Sequence, residues 1–209
     1  MKKSLIVAGI LLAGSSLFAG DIKPFVGIDL SNVEIDYTKE IHNAMNNVDS
    51  TLILPLNESI KDTAVGFKLG AIILNKHRSY ISYIKYSSED GSAINTLFNY
   101  DYLFKSNEYM TPYIGIHAGR SEIEVELYDD FKISQSGTAY GIQGGIIYNA
   151  TANIDLEIGV SYTMIDADII KSQATNASFN NGRIIFNNVQ VTSEVENASR
   201  AFIGLNYKF

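Results

Sequence analysis

The chain has 209 residues with no cysteine, no tryptophan and only three prolines. Without cysteine there is no disulfide, no thiolate metal ligand and no thiol nucleophile. With so few prolines, extended segments can run on without losing ladder donors. After residue 20 no long apolar run occurs, which excludes helical membrane spans. Basic side chains are in deficit, with 16 Lys and Arg against 23 Asp and Glu. A chain so charged is not expected to bind nucleic acid.

The start of the chain differs from the rest. Met1 to Ala19 carries Lys2 and Lys3, an apolar stretch from Leu5 to Leu12, then small residues ending at Ala19 and Gly20. This is the pattern of a secretory signal peptide, and its apolar part is shorter than the roughly 20 residues of a spanning helix. Residues 1–19 are therefore expected to be a leader and residues 20–209 one domain. Removing Lys2 and Lys3 leaves 14 basic against 23 acidic side chains, a net charge of −9.

What the mature part does have is alternation with a period of two, the mark of strands with one apolar face. Thr63, Val65, Phe67, Leu69, Ala71 and Ile73 interleave with smaller or polar residues that include Lys68. The same holds for Ile94 to Phe104, for Pro112 to Gly119, and for Tyr140 to Tyr148. It is cleanest where Ile154, Leu156, Ile158, Val160 and Tyr162 oppose Asp155, Glu157, Gly159, Ser161 and Thr163. Adding Lys23 to Leu30, Ser79 to Tyr86 and Ser199 to Phe209 predicts eight strands. In the third, Tyr80, Ser82, Ile84 and Tyr86 are expected on the apolar face, leaving Lys85 on the other.

The connections sort by length. Asn75 to Arg78, Lys105 to Tyr109 and Asn149 to Asn153 are short, whereas 32–62, 87–92, 120–137 and 165–197 are longer. Strict alternation of long and short is what an up-and-down membrane barrel with periplasmic turns and outer loops produces, with both termini on the periplasmic side. Asn181 and Gly182 predict a type I′ hairpin turn inside the last outer loop. Glu122, Glu124, Glu126, Asp129 and Asp130 lack the ordered spacing of a calcium loop, and Ile123, Val125 and Leu127 between them predict a solvated strand extension instead.

Charge decides which face looks outward. In the five clearest strands the apolar face carries no Lys, Arg, Asp or Glu. A lipid-facing charge costs roughly 2 to 4 kcal/mol at the midplane, whereas a soluble barrel has no reason to avoid one. Apolar-out is thus predicted, with Tyr80, Tyr86, Tyr100, Tyr102, Tyr140, Tyr148, Tyr162 and Tyr207 as interfacial girdles. The inward face then holds Asp29, Lys68, Lys85, His117 and Gln143 at similar heights, Asp101, Asp155 and Glu157 lower, and Lys208 at the foot. Buried charges must pair, so pairs are expected among Asp29, Lys68, Lys85 and Asp101, and between Asp155 or Glu157 and Lys208. Eight strands leave an interior just wide enough for its own side chains, so a packed polar network is expected rather than an open pore.

The chain ends on Ala201 to Phe209, an alternating strand with Gly204, Leu205, Tyr207 and a terminal Phe209. These residues resemble the carboxy-terminal signal of Gram-negative outer-membrane barrels, although Phe202 stands where a polar residue is usual. Leader, eight alternating strands, sorted loops and aromatic end together resemble the small outer-membrane barrels that include the OmpA transmembrane domain, OmpX and the opacity proteins. The resemblance covers essentially all of residues 21–209. It implies an all-β, eight-stranded antiparallel barrel in the bacterial outer membrane, a monomer inserted by the barrel-assembly machinery and surrounded by outer-membrane lipids. It also implies a structural or adhesin-like role through outer loops 32–62, 120–137 and 165–197, with a small porin-like channel as the alternative. The peptidoglycan-binding domain of OmpA is not present, so tethering to the wall is not expected. Some barrels of this type modify lipid A with surface His and Ser residues, but His42, His77 and His117 gather no such set. Neither catalysis, a cofactor nor a metal is expected.

Overall fold

The computed structural model describes residues 22–44, 56–88, 91–104, 107, 109–128, 131–167, 170–180 and 183–209. The predicted leader lies outside these residues. The chain forms β1 (Ile22–Ala44), β2 (Leu56–Ile73), β3 (His77–Ser88), β4 (Gly91–Leu103), β5 (Met110–Tyr128), β6 (Phe131–Asn149), β7 (Ile154–Ala167), β8 (Ile170–Asn180) and β9 (Arg183–Lys208). From β1 to β7 neighbours in sequence pair antiparallel, and β9 pairs antiparallel with β7, β8 and β1. The pairing of Val26 with Tyr207 and of Leu30 with Ile203 closes the sheet on itself. Because β7 and β8 lie in succession along β9, eight strand positions make up the wall.

Alternation fixes the two faces. Outward positions on β7, from Ile154 through Ile158 and Val160 to Met164, are all exposed, with Val160 at 61%. That 11-residue stretch matches the roughly 9 to 11 residues a tilted strand needs to cross hydrocarbon. Phe67, Phe98, Ile116, Ile142 and Ile203 continue the same apolar belt around the wall. Its lower edge carries Tyr102, Phe104, Tyr109, Tyr148, Tyr207 and Phe209, with ring pairs Tyr102–Phe104 and Tyr207–Phe209 at 5.0 and 5.2 Å. At its upper edge charges return on the same outward face, as Lys61 with Glu34 at 3.2 Å and Arg120 with Glu122 at 3.2 Å.

The third strand has the opposite parity from that expected. Tyr80, Ser82, Ile84 and Tyr86 point inward and are buried, while Ile81, Tyr83 and Lys85 face out. The turn before it explains the shift. Leu74 and Asn75 both take left-handed backbone (φ 55° and 54°), and the Lys76 amide donates to the Ile73 carbonyl at 3.1 Å. This tight turn starts β3 at His77, so Arg78 becomes its first inward residue. Inside, the Tyr80 and Tyr86 hydroxyls accept from Gln143 (2.7 Å) and Asn95 (2.6 Å), so neither belongs to a girdle. Lys85 pairs in register with Val65 and Ile94, level with Glu122, where the apolar belt ends and a lysine can reach water.

The longer connections are mostly strand. β1 and β2 stay paired to Lys39 and Leu56, β3 and β4 to Ser88 and Gly91, and β5 and β6 to Tyr128 and Phe131. β8 and β9 pair up to Asn180 and Arg183, on either side of Asn181 and Gly182, which lie outside the described residues. The wall thus extends well above the belt.

Candidate functional site

Inside the barrel three buried cations face three buried anions in one alternating chain. Arg200 of β9 meets Asp29 of β1, whose other oxygen lies 3.4 Å from Lys68 Nζ of β2. Lys68 Nζ also donates to Glu157 Oε2 of β7 at 3.0 Å. Glu157 receives a two-pronged contact from Arg78 of β3, at 3.1 and 2.8 Å. Arg78 Nε then donates to Asp101 Oδ2 of β4 at 2.7 Å. Gln143 Nε2 of β6 ends the chain, donating to Asp101 Oδ1 at 2.5 Å. Asn206 Nδ2 adds a fourth donor to Glu157 at 2.9 Å.

The energetics explain the arrangement. Moving an ion out of water costs several kcal/mol even after relaxation, and it is repaid only by close partners that satisfy its remaining hydrogen bonds. Arg78, Lys68, Asp29, Asp101 and Glu157 are each 4% exposed or less, so none of them can borrow solvent. With three charges of each sign the layer is neutral. Aromatic rings complete it, with Lys68 4.5 Å from the Phe202 ring centre, Arg78 4.6 Å from Tyr113 and Arg200 4.4 Å from Phe202.

The layer is closed in above and below. Toward the turn end Phe25, Ile72, Tyr80, Leu103, Tyr113, Ile147 and Phe202 form one apolar cluster. Toward the outer end Val33, Ala64, Ile84, Tyr86, Leu97, Ile123, Ile165 and others form a second. Glycine makes room for the charges: a Cβ at Gly115 would overlap Asp101 Oδ1, and one at Gly159 would lie 2.5 Å from the Tyr113 hydroxyl. At the foot, a separate pair joins Lys208 Nζ to Asp155 Oδ1 at 2.7 Å.

The expected inward residues are thus divided. Asp29, Lys68, Asp101, Gln143 and Glu157 come together in the central chain. Asp155 and Lys208 pair apart from it. His117 sits higher, with Nε2 2.9 Å from Thr163 Oγ1. Lys85 is the exception: it is on the outside and belongs to no lumen pair. Its place as the cation beside Lys68 is taken by Arg78, and Arg200 supplies the third. Arg200 shares parity with Phe202, Gly204, Asn206 and Lys208, which is a signal present in the sequence. Arg78 was hidden at the end of a segment read as a turn.

Chemically this lumen holds buried charge in matched pairs. Among the described residues no group of three His, Asp or Glu side chains could hold a metal ion. Gly204, Leu205, Tyr207 and Phe209 lie on the closing strand, with Leu205, Tyr207 and Phe209 outward and Gly204 inward against Asp29.

No family model and no curated protein matches the chain. Solved structures do. Neisserial surface protein A aligns with 17% identity over 89% of this chain and 97% of its own, with a TM-score of 0.57. The outer membrane protein OprG from Pseudomonas aeruginosa aligns with 13% identity over 90% and 97%, with a TM-score of 0.56. The outer membrane protein AlkL, solved in lipid bilayers, aligns with 16% identity over 92% and 93%, with a TM-score of 0.51. At these identities the likeness concerns architecture. The chain has the fold of the small eight-stranded outer-membrane β-barrels.

Proposed function

We propose that the chain is a bacterial outer-membrane barrel with both termini in the periplasm, acting as a non-enzymatic surface-interaction protein. One observation carries this reading. The lumen is filled by a neutral charge layer between two apolar clusters, while β1, β2, β5, β6, β8 and β9 run on beyond the apolar belt. A barrel sealed inside and extended outside is a rigid mount for whatever its outer strands contact. Partners would meet segments 32–62, 120–137 and 165–197.

Surface display on a non-adherent laboratory bacterium tests the reading. Adherence to cultured cells and to protein-coated plastic should rise, and should fall back when 34–61, 122–136 and 166–197 are replaced by short turns. Adherence that does not depend on those segments would overturn it. A narrow channel is the second reading, favoured by Asn95 Oδ1, His117 Nδ1 and Ser121 Oγ, buried in the upper lumen with no protein partner among the described residues. Such a row suits water. Steady conductance of the purified chain in planar bilayers would support the channel, and a silent bilayer the sealed mount.

A further inference from the structure

The rows of paired residues slant round the wall. One that starts at Asn32 and passes through Ala201, Val160 and Gly144 returns to β1 at Ile22, ten residues below its start. Spread over eight strands tilted by about 40°, that drop makes each step to the next strand along a row about 3 Å in height, and the rows climb from β3 through β4 to β5. Arg120 shares a row with Thr96 and Tyr83, and so stands about 6 Å above Tyr83. Lys85, two residues further along β3, stands about 5 Å above Tyr83. The two outward cations are therefore at one height, and Glu122, although it shares a row with Lys85, is higher on the wall. That height is the upper border of the apolar belt. Tyr83, Phe98 and Ala118 lie below it, and the outward acids of the described wall, Glu34, Asp36, Glu122, Glu124 and Asp166, all stand above it.

Two strand spacings and one two-residue step separate the Cα atoms of Lys85 and Arg120 by about 12 Å, a gap that their long side chains close from both sides. Thr96 lies between them on β4 and is exposed. Just beneath, Ile81, Phe98 and Ala118 line a hollow of ≈ 700 Å³ in the outer wall, with Thr96, Arg120 and Glu122 along its upper part. Arg120 keeps Glu122 at 3.2 Å through Nε and Ser136 at 3.0 Å through Nη2, whereas Lys85 has no anion partner among the described residues. Lys85 is thus the unmatched charge here, and the Arg120 guanidinium adds a fork of donors. Hydrocarbon covers this face, so the occupant of the hollow is a lipid, and the cations select its headgroup. An ammonium and a guanidinium at the depth where headgroups begin suit phosphate oxygens. We infer that Lys85, Arg120 and Thr96 form a headgroup site for an anionic, phosphate-bearing lipid of the outer leaflet, one acyl chain of which lies in the hollow over Ala118. This rests on the membrane placement proposed above, with the termini periplasmic, and is independent of the adhesive role.

The chain has no tryptophan, so a single one at Phe98, beside the hollow, or at Ile203, on the far wall, reports quenching by brominated lipids in its own neighbourhood. In phosphatidylcholine bilayers at low salt, brominated phosphatidic acid should occupy the Phe98→Trp surface about fivefold better than brominated phosphatidylcholine. At Ile203→Trp the two lipids should compete equally. Adding Lys85→Gln and Arg120→Gln to the Phe98→Trp chain should abolish the preference, and adding Lys61→Gln, higher on the wall and paired with Glu34, should leave it unchanged. Inorganic phosphate should not compete. Ile81→Trp carries the same readout should Phe98→Trp fail to fold, as judged by far-UV circular dichroism. Equal ratios at the two tryptophans, or a preference that survives the glutamine pair, would overturn the inference. Displacement by inorganic phosphate would assign the cations to a free anion and overturn the lipid as well. Equal quenching at both positions sinks the headgroup site alone, whereas no quenching by either lipid at Ile203→Trp would take the membrane placement down with it.

Discussion

Replacing Arg78 by Met is the sharpest perturbation of the lumen. Arg78 is 1% exposed and, among the described residues, is the only cation paired with Asp101. Methionine fills a similar length but offers no donor, so Asp101 keeps only Gln143, while Glu157 keeps Lys68 and Asn206. Removing one partner of a buried pair costs about 3 to 5 kcal/mol, because the other charge is left uncompensated. The loss here should fall in that range, carried mainly by Asp101. The double variant Arg78→Met with Asp101→Asn should recover a large part of it, since the orphaned charge is gone while Gln143 retains an acceptor. Urea unfolding of the chain in lipid vesicles, followed by far-UV circular dichroism, measures both. A single variant within about 1 kcal/mol of wild type, or a double variant no better than the single one, would refute the idea that this layer is a tightly coupled ion network.

Other positions grade the same picture. Lys208→Met should cost less than Arg78→Met, because Lys208 is part-exposed at the foot and pairs with one anion where Arg78 pairs with two; the same unfolding titration compares them. Lys85→Met should change stability by no more than about 0.5 kcal/mol, as for an exposed surface site, whereas an inward Lys85 would have made this a severe variant. Ile158→Lys, in the middle of the belt and 60% exposed, should cost roughly 2 to 4 kcal/mol in bilayers. Gly115→Ala should cost about 1 to 3 kcal/mol by overpacking against Asp101 and the Tyr100 carbonyl oxygen, and pairing it with Asp101→Ala should relieve only the carboxylate contact while adding the loss of that anion.

The outside of the barrel was legible because lipid imposes one simple demand on every second residue. On β7 that demand gives an unbroken series from Ile154 to Tyr162, and β5 and β6 repeat it. The inside obeys no such rule. It must seal as well as hold charge, so Phe25, Tyr80, Ile84, Tyr86 and Phe202 are inward although their character suits lipid. On β3 three such inward residues, Tyr80, Ile84 and Tyr86, coincide with an outward Lys85 at the rim, and alternation read by hydropathy alone comes out inverted. Arg78 was missed for a related reason: its parity depends on a turn in which Leu74 and Asn75 take left-handed backbone, a geometry that Leu does not advertise. The pair of Asp155 with Lys208 could be anticipated because both sit near strand ends at the closing seam. The partners of Glu157 could not, since Arg78 is four strand positions away around the wall and reaches it across the lumen.

The most direct measurement concerns the direction in which the wall faces. The native chain has no cysteine, so single spin-labelled cysteines can be placed along β7 without background, at Ile158, Gly159, Val160, Ser161 and Tyr162. In bilayers, collision with lipid-soluble oxygen should be high at Ile158, Val160 and Tyr162 and low at Gly159 and Ser161. Oxygen access that peaks instead at Gly159 and Ser161, or that does not alternate, would contradict a barrel with hydrocarbon outside and charge within.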